Sequence, residues 1–586
     1  MFNLTENWNL EDIYKDEQQV ALDFEKIKKI KSSLAKYRGK LKDENVLLDY
    51  LKKAEELSKL ETKVGCYTLL RKSLNGKDTF SRKLETEQEL FDQEISPRLA
   101  FITPEISKIS SANLRALALK PSFKNYNLML EDLAKNKKHV LPEKISAILN
   151  MNPSFGSSSE VYDNFSDIDL KFGKVKTDNG PITLTHGNYS MLIKNKNQEV
   201  RKIAYNKMHK AFASFNYTLG ELYLSYVKES LFFTKLHKFN TVLEECCNDD
   251  KSDIKVLPTL IEVVRENLPL FYRFESIKKK YLKLKNYYYF DNYVELGKVE
   301  RAFSYSEGAN LVLKALSEMG EEYTSVLKTA LSEGWIDVYE KPAKASGGFC
   351  LGVYGVHPYV LLNYSKTYDS VSTLAHELGH AMHFYYTSKN QPITKSEASI
   401  FVCEVASIVN EILLASYMIK NSENRQEKLY YLHQLLLSFY TTLYRQTMFS
   451  EFEYFVYSSL ENKKPIILDD LNNKYMALQN LYFGKEAKKT KYSKFEWSRI
   501  PHFYRPYYVY KYSTGFISAC TIANKILSKE EGYIKKYIDF LSAGSSVDPI
   551  ELLKKVDVDL TKKQTLKGAF SLYESLLNEF ENLTKE

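Results

Sequence analysis

Thr373-Leu374-Ala375-His376-Glu377-Leu378-Gly379-His380 contains the arrangement in this chain best suited to chemistry. Two His four residues apart on a helix project from one face, so both imidazoles reach a single ion. The Glu beside the first His then stands next to a metal-bound water, where it can take a proton. Val371, Leu374, Leu378, Met382 and Tyr386 surround the pair with apolar side chains, which makes the helix a buried one. A buried His pair needs a partner, and a catalytic zinc site needs a third protein ligand with one position left open.

Three residues compete for that third place. His383 lies on the same face but seven residues beyond His376, roughly 10 Å along the axis, too far to share an ion with it. The metzincin spacing wants Gly at 383 and His at 386, where this chain has His383 and Tyr386. Downstream, residues 389–394 read as a turn, followed by a second helix through about residue 418 carrying Glu397, Glu404 and Glu411 at seven-residue spacing. A hairpin count of about eight residues out and eight back brings Glu404 level with His380. Glu404 also interrupts the apolar run Phe401–Ala406, where an unpaired carboxylate is costly. Glu404 is the expected third ligand, Glu397 a solvated charge near the turn, and Glu411 a supporting or ion-paired residue.

Two further stretches stand out. Residues 346–355 hold four Gly, at 347, 348, 352 and 355, and lead into the β-rich run 357–364 just before the metal helix. Such a strand either covers the core as a plain hairpin or offers its edge to a peptide laid alongside. Late in the chain, residues 501–512 read PHFYRPYYVYKY. Tyr507 and Tyr510 fall at i,i+3 on a helix after Pro506 and share a face. They either wall two helices together or, with His502, donate to the oxyanion of a tetrahedral intermediate.

Long amphipathic helices must position these groups. The N-terminal part reads as helices over 23–34 and 46–70, a polar break at 72–78, then 81–94, with a second helical block over 116–150 ending at Asn152-Pro153. Residues 153–190 are richer in small residues and turns, so the main boundary is placed near residue 190, giving segments 1–190 and 191–586. Helices resume over 198–236 and 257–283. The chain's 22 Gly and 15 Pro in 586 residues are few, which favours a mainly α fold with a small β element around 345–365.

Composition excludes several classes. No run of 18 apolar residues exists, so no membrane partner is expected, and residues 1–6 show no secretory signal. A net charge of +8 is small for this length. The Lys clusters at 135–138, 278–280 and 485–489 read as solvated surface, with no nucleic-acid module. Six scattered Cys without a Cys-x-x-Cys pattern point to a reduced, cytoplasmic protein.

The segment 376–383 (HELGHAMH), followed by 401–407 (FVCEVAS), closely resembles oligoendopeptidase F of the thimet oligopeptidase family. The resemblance extends to 7–14 (NWNLEDIY) and 499–504 (RIPHFY). It implies a two-lobed helical shell enclosing a cleft, with a helical N-terminal domain over 1–190 and a zinc metallopeptidase domain over 191–586. It implies one Zn2+ ion on His376, His380 and Glu404, with Glu377 as general base on its water. It also implies short peptides as substrates, bound along the strand at Gly347, Gly348 and Phe349. Gly347-Gly348-Phe349-Cys350 replaces the family's usual Gly-Ala-Tyr-Ser, so Phe349 is expected to keep backbone and ring contacts only. His502 and a Tyr would face the metal, in the order Tyr510, then Tyr507, then Tyr504. Two rivals are an open-cleft protease for larger proteins and a non-catalytic peptide binder with a structural zinc. Glu377 argues against the second, because a structural site needs no base beside its ligand.

Overall fold

The computed structural model describes residues 4–150 and 157–585, so the expected Asn152-Pro153 break lies outside the described residues. The architecture is mainly α. Its helices start where short polar side chains satisfy free amides: Asp16 accepts from Gln19, Asp43 from Asn45 and Val46, and Asp78 from Ser81. These caps open helices Glu17–Ser33, Glu44–Leu74 and Thr79–Leu99, close to the spans read from periodicity. The stretch expected as one helix over 198–236 is two, Gln198–Ala213 and Asn216–Leu236, and that over 257–283 is likewise split at Asn267.

Buried apolar side chains form two cores. The smaller is built from residues 8–134 together with Val353, Tyr359 and Leu361. The larger runs from Tyr162 to Phe580. Tyr162, Val175, Leu184 and Tyr189, which precede the boundary expected near residue 190, pack in the larger one. Lys278, expected on a solvated surface, is buried completely and donates to the carbonyls of Asn292 and Val294. A buried ammonium without such acceptors would be prohibitively costly.

A three-stranded sheet joins the cores. Strand β1 (Ile336–Asp337) pairs in parallel with β3 (Tyr359–Leu361), and β2 (Phe349–Leu351) pairs antiparallel with β3 on its other side. Side chains alternate along β3, so Tyr359 and Leu361 enter the smaller core while Val360 and Leu362 enter the larger. The N-terminal segment locks this arrangement. Trp8 Nε1 donates to the Val360 carbonyl at 2.7 Å, Tyr359 donates its hydroxyl to Asn9, and Asn9 N–H donates to Gly334.

Helix α1 (Tyr368–Asn390) follows the sheet, capped by Thr367, and α2 (Cys403–Lys420) packs along it. Helix α3 (Tyr510–Leu527) lies against α2. The turn between α1 and α2 is longer than read from sequence: a 3-10 turn at Ile393–Lys395 and an irregular stretch precede Cys403. Glu397 therefore sits exposed outside α2 and shares no helical face with Glu404 and Glu411.

The closeness of α1 and α2 depends on Gly379. A Cβ there would lie 2.5 Å from Ser407 Cα and 2.6 Å from the Ala406 carbonyl oxygen, both backbone atoms that cannot swing aside. Gly379→Ala is expected to destabilise the fold by about 1–3 kcal/mol through overpacking. Thermal and urea melts check this. A melting midpoint equal to the unsubstituted chain would show that the two helices part without cost.

Candidate active site

His376 and His380 stand one turn apart on α1, and Glu404 opens the first turn of α2 opposite them. His376 Nε2 and His380 Nε2 each lie 3.5 Å from Glu404 Oε2. Among the described residues these three form the one cluster of His, Cys, Asp or Glu with metal-binding geometry, their ligand atoms all within 4.8 Å of one another. Ligands about 2.0–2.1 Å from a tetrahedral zinc lie roughly 3.4 Å apart, so the donor set fits that ion in spacing and in chemistry.

The second ring nitrogen of His376, Nδ1, is hydrogen-bonded to the carboxylate of Glu411, two turns beyond Glu404 on α2. That bond leaves Nε2 turned toward Glu404 and fixes the ring. Burial works against a charged His376, but Glu411 outweighs it and raises the imidazole to about 9. Burial likewise pushes the Glu404 carboxyl up, and is overcome by His380, His376 and Ser407, which hold it at about 2. Ser407 contributes a hydroxyl 3.1 Å from Glu404 Oε2. The triad is thus an anionic carboxylate facing two oriented imidazoles.

Glu377 is nearly buried, and its Oε2 has no hydrogen-bond partner among the described residues. Burial raises its carboxyl above the ordinary range. A Cβ built on Gly348 would stand 3.4 Å from Glu377 Oε1, so the start of β2 runs directly against this carboxyl. His383 is buried over the Phe540 ring, held neutral by burial at about 3, and takes no part in the cluster.

The exposed edge of the sheet belongs to β2. Val360 and Leu362 direct their N–H groups to Trp335 and Asp337 on the β1 side. Tyr359 and Leu361 therefore face β2, opposite Leu351 and Phe349. The backbone polar groups of Phe349 are thus taken up by β3, and its ring lies 6.3 Å from that of Trp8 in the smaller core. Phe349, expected to hold substrate through backbone and ring, has neither to offer. The N–H and C=O of its neighbour Cys350 point to the free edge instead. The Gly347 carbonyl accepts from Asn363 Nδ2 at 2.9 Å, which leaves Gly348 and Cys350 as the open positions.

The late tyrosines are arranged differently from their sequence reading. Tyr507 adopts φ +49°, and α3 begins only at Tyr510, so no helical face joins the two. The Tyr507 amide donates to Glu453, and its ring packs on Tyr457. Tyr510 is fully buried with its hydroxyl 3.4 Å from Ser252 Oγ. Tyr504 stacks on Tyr162 at 4.6 Å. These three form an aromatic wall between helices. Tyr508 and Tyr512, which sequence reasoning passed over, form the cluster with His502. Tyr508 lies parallel to the His502 ring at 5.8 Å, Tyr512 meets it edge-on at 5.9 Å, and the two phenol oxygens are 3.3 Å apart. One turn past Tyr512, a Cβ on Gly515 would be 3.6 Å from Glu404 Cβ, which brings this helix face to the metal-ligand cluster. The Tyr512 hydroxyl is raised by burial, by Tyr508 and by the Glu404 charge. His502 is kept neutral by burial and by Arg445 and Arg505.

Comparison with known proteins shows the family. A model of peptidase family M3 matches residues 191–572, and one described as oligopeptidase F matches residues 105–172. Oligopeptidase PepF of Bacillus subtilis is 34% identical over 583 residues, covering 99% of this chain and 87% of that protein. An oligoendopeptidase F homolog of Borreliella burgdorferi is 31% identical over 585 residues, covering 99% and 98%. The crystal structure of oligoendopeptidase-F from Enterococcus faecium superposes with a TM-score of 0.77 at 26% identity, covering 97% of this chain and 99% of that one.

The donor spacing makes a direct prediction. Glu404→Ala is expected to bind zinc far more weakly, whereas Glu397→Ala, whose carboxylate lies outside α2, should keep it. Equilibrium dialysis with metal analysis distinguishes them, and loss of zinc from the 397 variant would reject the ligand set.

Proposed function

Since the chain belongs to the oligoendopeptidase F members of peptidase family M3, we propose that it hydrolyses internal bonds of short peptides, using one zinc ion held by His376, His380 and Glu404. That it is a peptidase follows from the family. The observation that carries the finer reading is the pair of 3.5 Å separations from Glu404 Oε2 to the two imidazole Nε2 atoms, with Glu377 set beside an edge strand.

A zinc ion held by His376, His380 and Glu404 would supply Lewis acidity at this site. The protein's own groups do the rest. Glu377 takes a proton from the attacking water and gives it to the leaving nitrogen. Its raised pKa suits both halves of that transfer, since a carboxylate at its ordinary pKa is a weaker base. Glu411 holds His376 in one tautomer, with Nδ1 as donor. Gly348 and Cys350 align the peptide backbone as an added strand. Tyr512, supported by Tyr508 and His502, donates to the oxyanion as negative charge develops. The Tyr510 hydroxyl is engaged with Ser252 and has no part in this step.

The substrate class is a peptide, as the family implies. No helix among the described residues is long and apolar enough to cross a membrane. Six free thiols favour work in the reducing cytoplasm.

Glu377→Gln should keep one zinc per chain and lose hydrolysis by about 10²-fold or more. Metal content and turnover of the purified variant test the assignment, and full turnover would end it. Tyr512→Phe is expected to lower kcat by about 10²–10³ with KM nearly constant, because the hydroxyl meets charge present only in the transition state. Steady-state kinetics of Tyr512→Phe beside Tyr510→Phe separate the two roles. A fall in the 510 variant alone would return the donor to the buried wall. A reduced, unfolded protein offered beside a short peptide from its own sequence tests size: the peptide should be cut and the long chain largely spared. Equal cleavage of both would favour an open cleft.

A further inference from the structure

The stretch from His502 into the first turn of α3 carries two cations, Arg505 and Lys511, and only one of them is spent. Lys511 forms an ion pair with Asp250 at 2.5 Å, both side chains nearly buried. Arg505 is exposed and has no anionic partner among the described residues. The chain's buried arginines are handled differently: Arg201 is bound to Asp291 and Arg445 to Glu496. The Arg505 guanidinium instead lies 4.1 Å over the face of the Tyr508 ring, which stacks on His502 and touches Tyr512 through its hydroxyl.

This stacking has two physical consequences. It holds a long side chain in place with little of the entropy loss that a free Arg would suffer on binding a ligand. It also leaves the planar N–H fork unused, and that fork matches a carboxylate in two parallel hydrogen bonds. Tyr508 connects the fork to Tyr512, and Tyr512 stands one turn of α3 from the residue packed on Glu404. An anion bound at Arg505 would therefore lie beside the reacting bond, within a few residues of it along a peptide.

We propose that Arg505 is a specificity-determining residue of this peptidase and selects peptides with a carboxylate a few residues from the bond that is cut. The proposal rests on the peptidase reading above. The carboxylate has two possible sources, the free C-terminus of a short peptide and an Asp or Glu side chain, and they share the chemistry that the fork recognises.

The test uses the zinc-loaded full chain and three internally quenched octapeptides of common sequence. One ends in a free carboxylate, one in an amide, and one is amidated with Glu as its last residue. The unsubstituted chain is expected to show kcat/KM about tenfold higher for the free acid than for the amide, as charge-assisted hydrogen bonds warrant. Arg505→Gln should bring that ratio to about one. Arg505→Lys should keep a reduced preference, since an ammonium supplies charge without the fork. Raising the salt should shrink the preference in the unsubstituted chain, because the guanidinium is exposed. If the amidated Glu peptide behaves as the acid, a side chain suffices. If it behaves as the amide, the C-terminus is the group read. Equal acid-to-amide ratios in the unsubstituted chain and in Arg505→Gln would overturn the role of Arg505 while leaving the peptidase standing. Cleavage of none of the three would overturn the peptidase reading, and this proposal with it.

Discussion

A strand of three residues sets the geometry on which the rest depends. Tyr359 and Leu361 point into the core built from the first 134 residues, while Val360 points into the larger core that contains the metal helix. Because side chains alternate strictly along a strand, a slip of one residue would exchange every partner on both sides. The strand is therefore pinned from two directions. That pinning fixes β2, and β2 places Gly348 against Glu377. Neither core alone specifies the position of the candidate substrate edge relative to the base.

The metal-ligand cluster shows how opposing electrostatic effects resolve at short range. Burial alone would favour neutral carboxyls and neutral imidazoles. Glu411 lies close enough to His376, and the two His close enough to Glu404, that pairing outweighs the desolvation cost of His376 and of Glu404, so Glu404 stays anionic at the point where a cation is to be held. Glu377 lacks such a partner for Oε2, and burial prevails there. Neighbouring carboxyls on facing helices thus take opposite characters from local contacts, one suited to ligation and one to proton transfer.

Much of this was legible in the chain, and the parts that were not have identifiable causes. Helical spacing brought His376 and His380 together, and the count along a helical hairpin reached Glu404 even though the return helix starts only at Cys403. The count survives because an irregular connection covers about the same height as the turn of helix assumed in its place. Glu397 could not be separated from the helix by periodicity, since an amphipathic pattern continues into an irregular stretch. Phe349 was named through the family resemblance, and neither resemblance nor composition carries register; the direction of the Val360 and Leu362 amides decides which residue keeps its backbone free. The tyrosines were misordered for a related reason. A left-handed Tyr507 has no propensity signal, and once it breaks the helical phase, spacing counted through it points to the wrong faces.

The stitching of Trp8, Asn9, Tyr359 and Leu361 has a consequence for synthesis. A polypeptide leaves the ribosome from its N-terminus, and the smaller core recruits residues more than 200 positions beyond its own helices. Its first 134 residues emerge long before Tyr359 and Leu361 do, so the Trp8 indole and the apolar faces around it wait, uncovered, through most of translation. Domains commonly fold as units in the order they are made; here the first to appear cannot close until residue 361 has been made. The nascent chain thus carries an open hydrophobic surface for many seconds. The site is completed later still, because Glu377, Glu404 and Tyr512 all follow the strand that closes that surface.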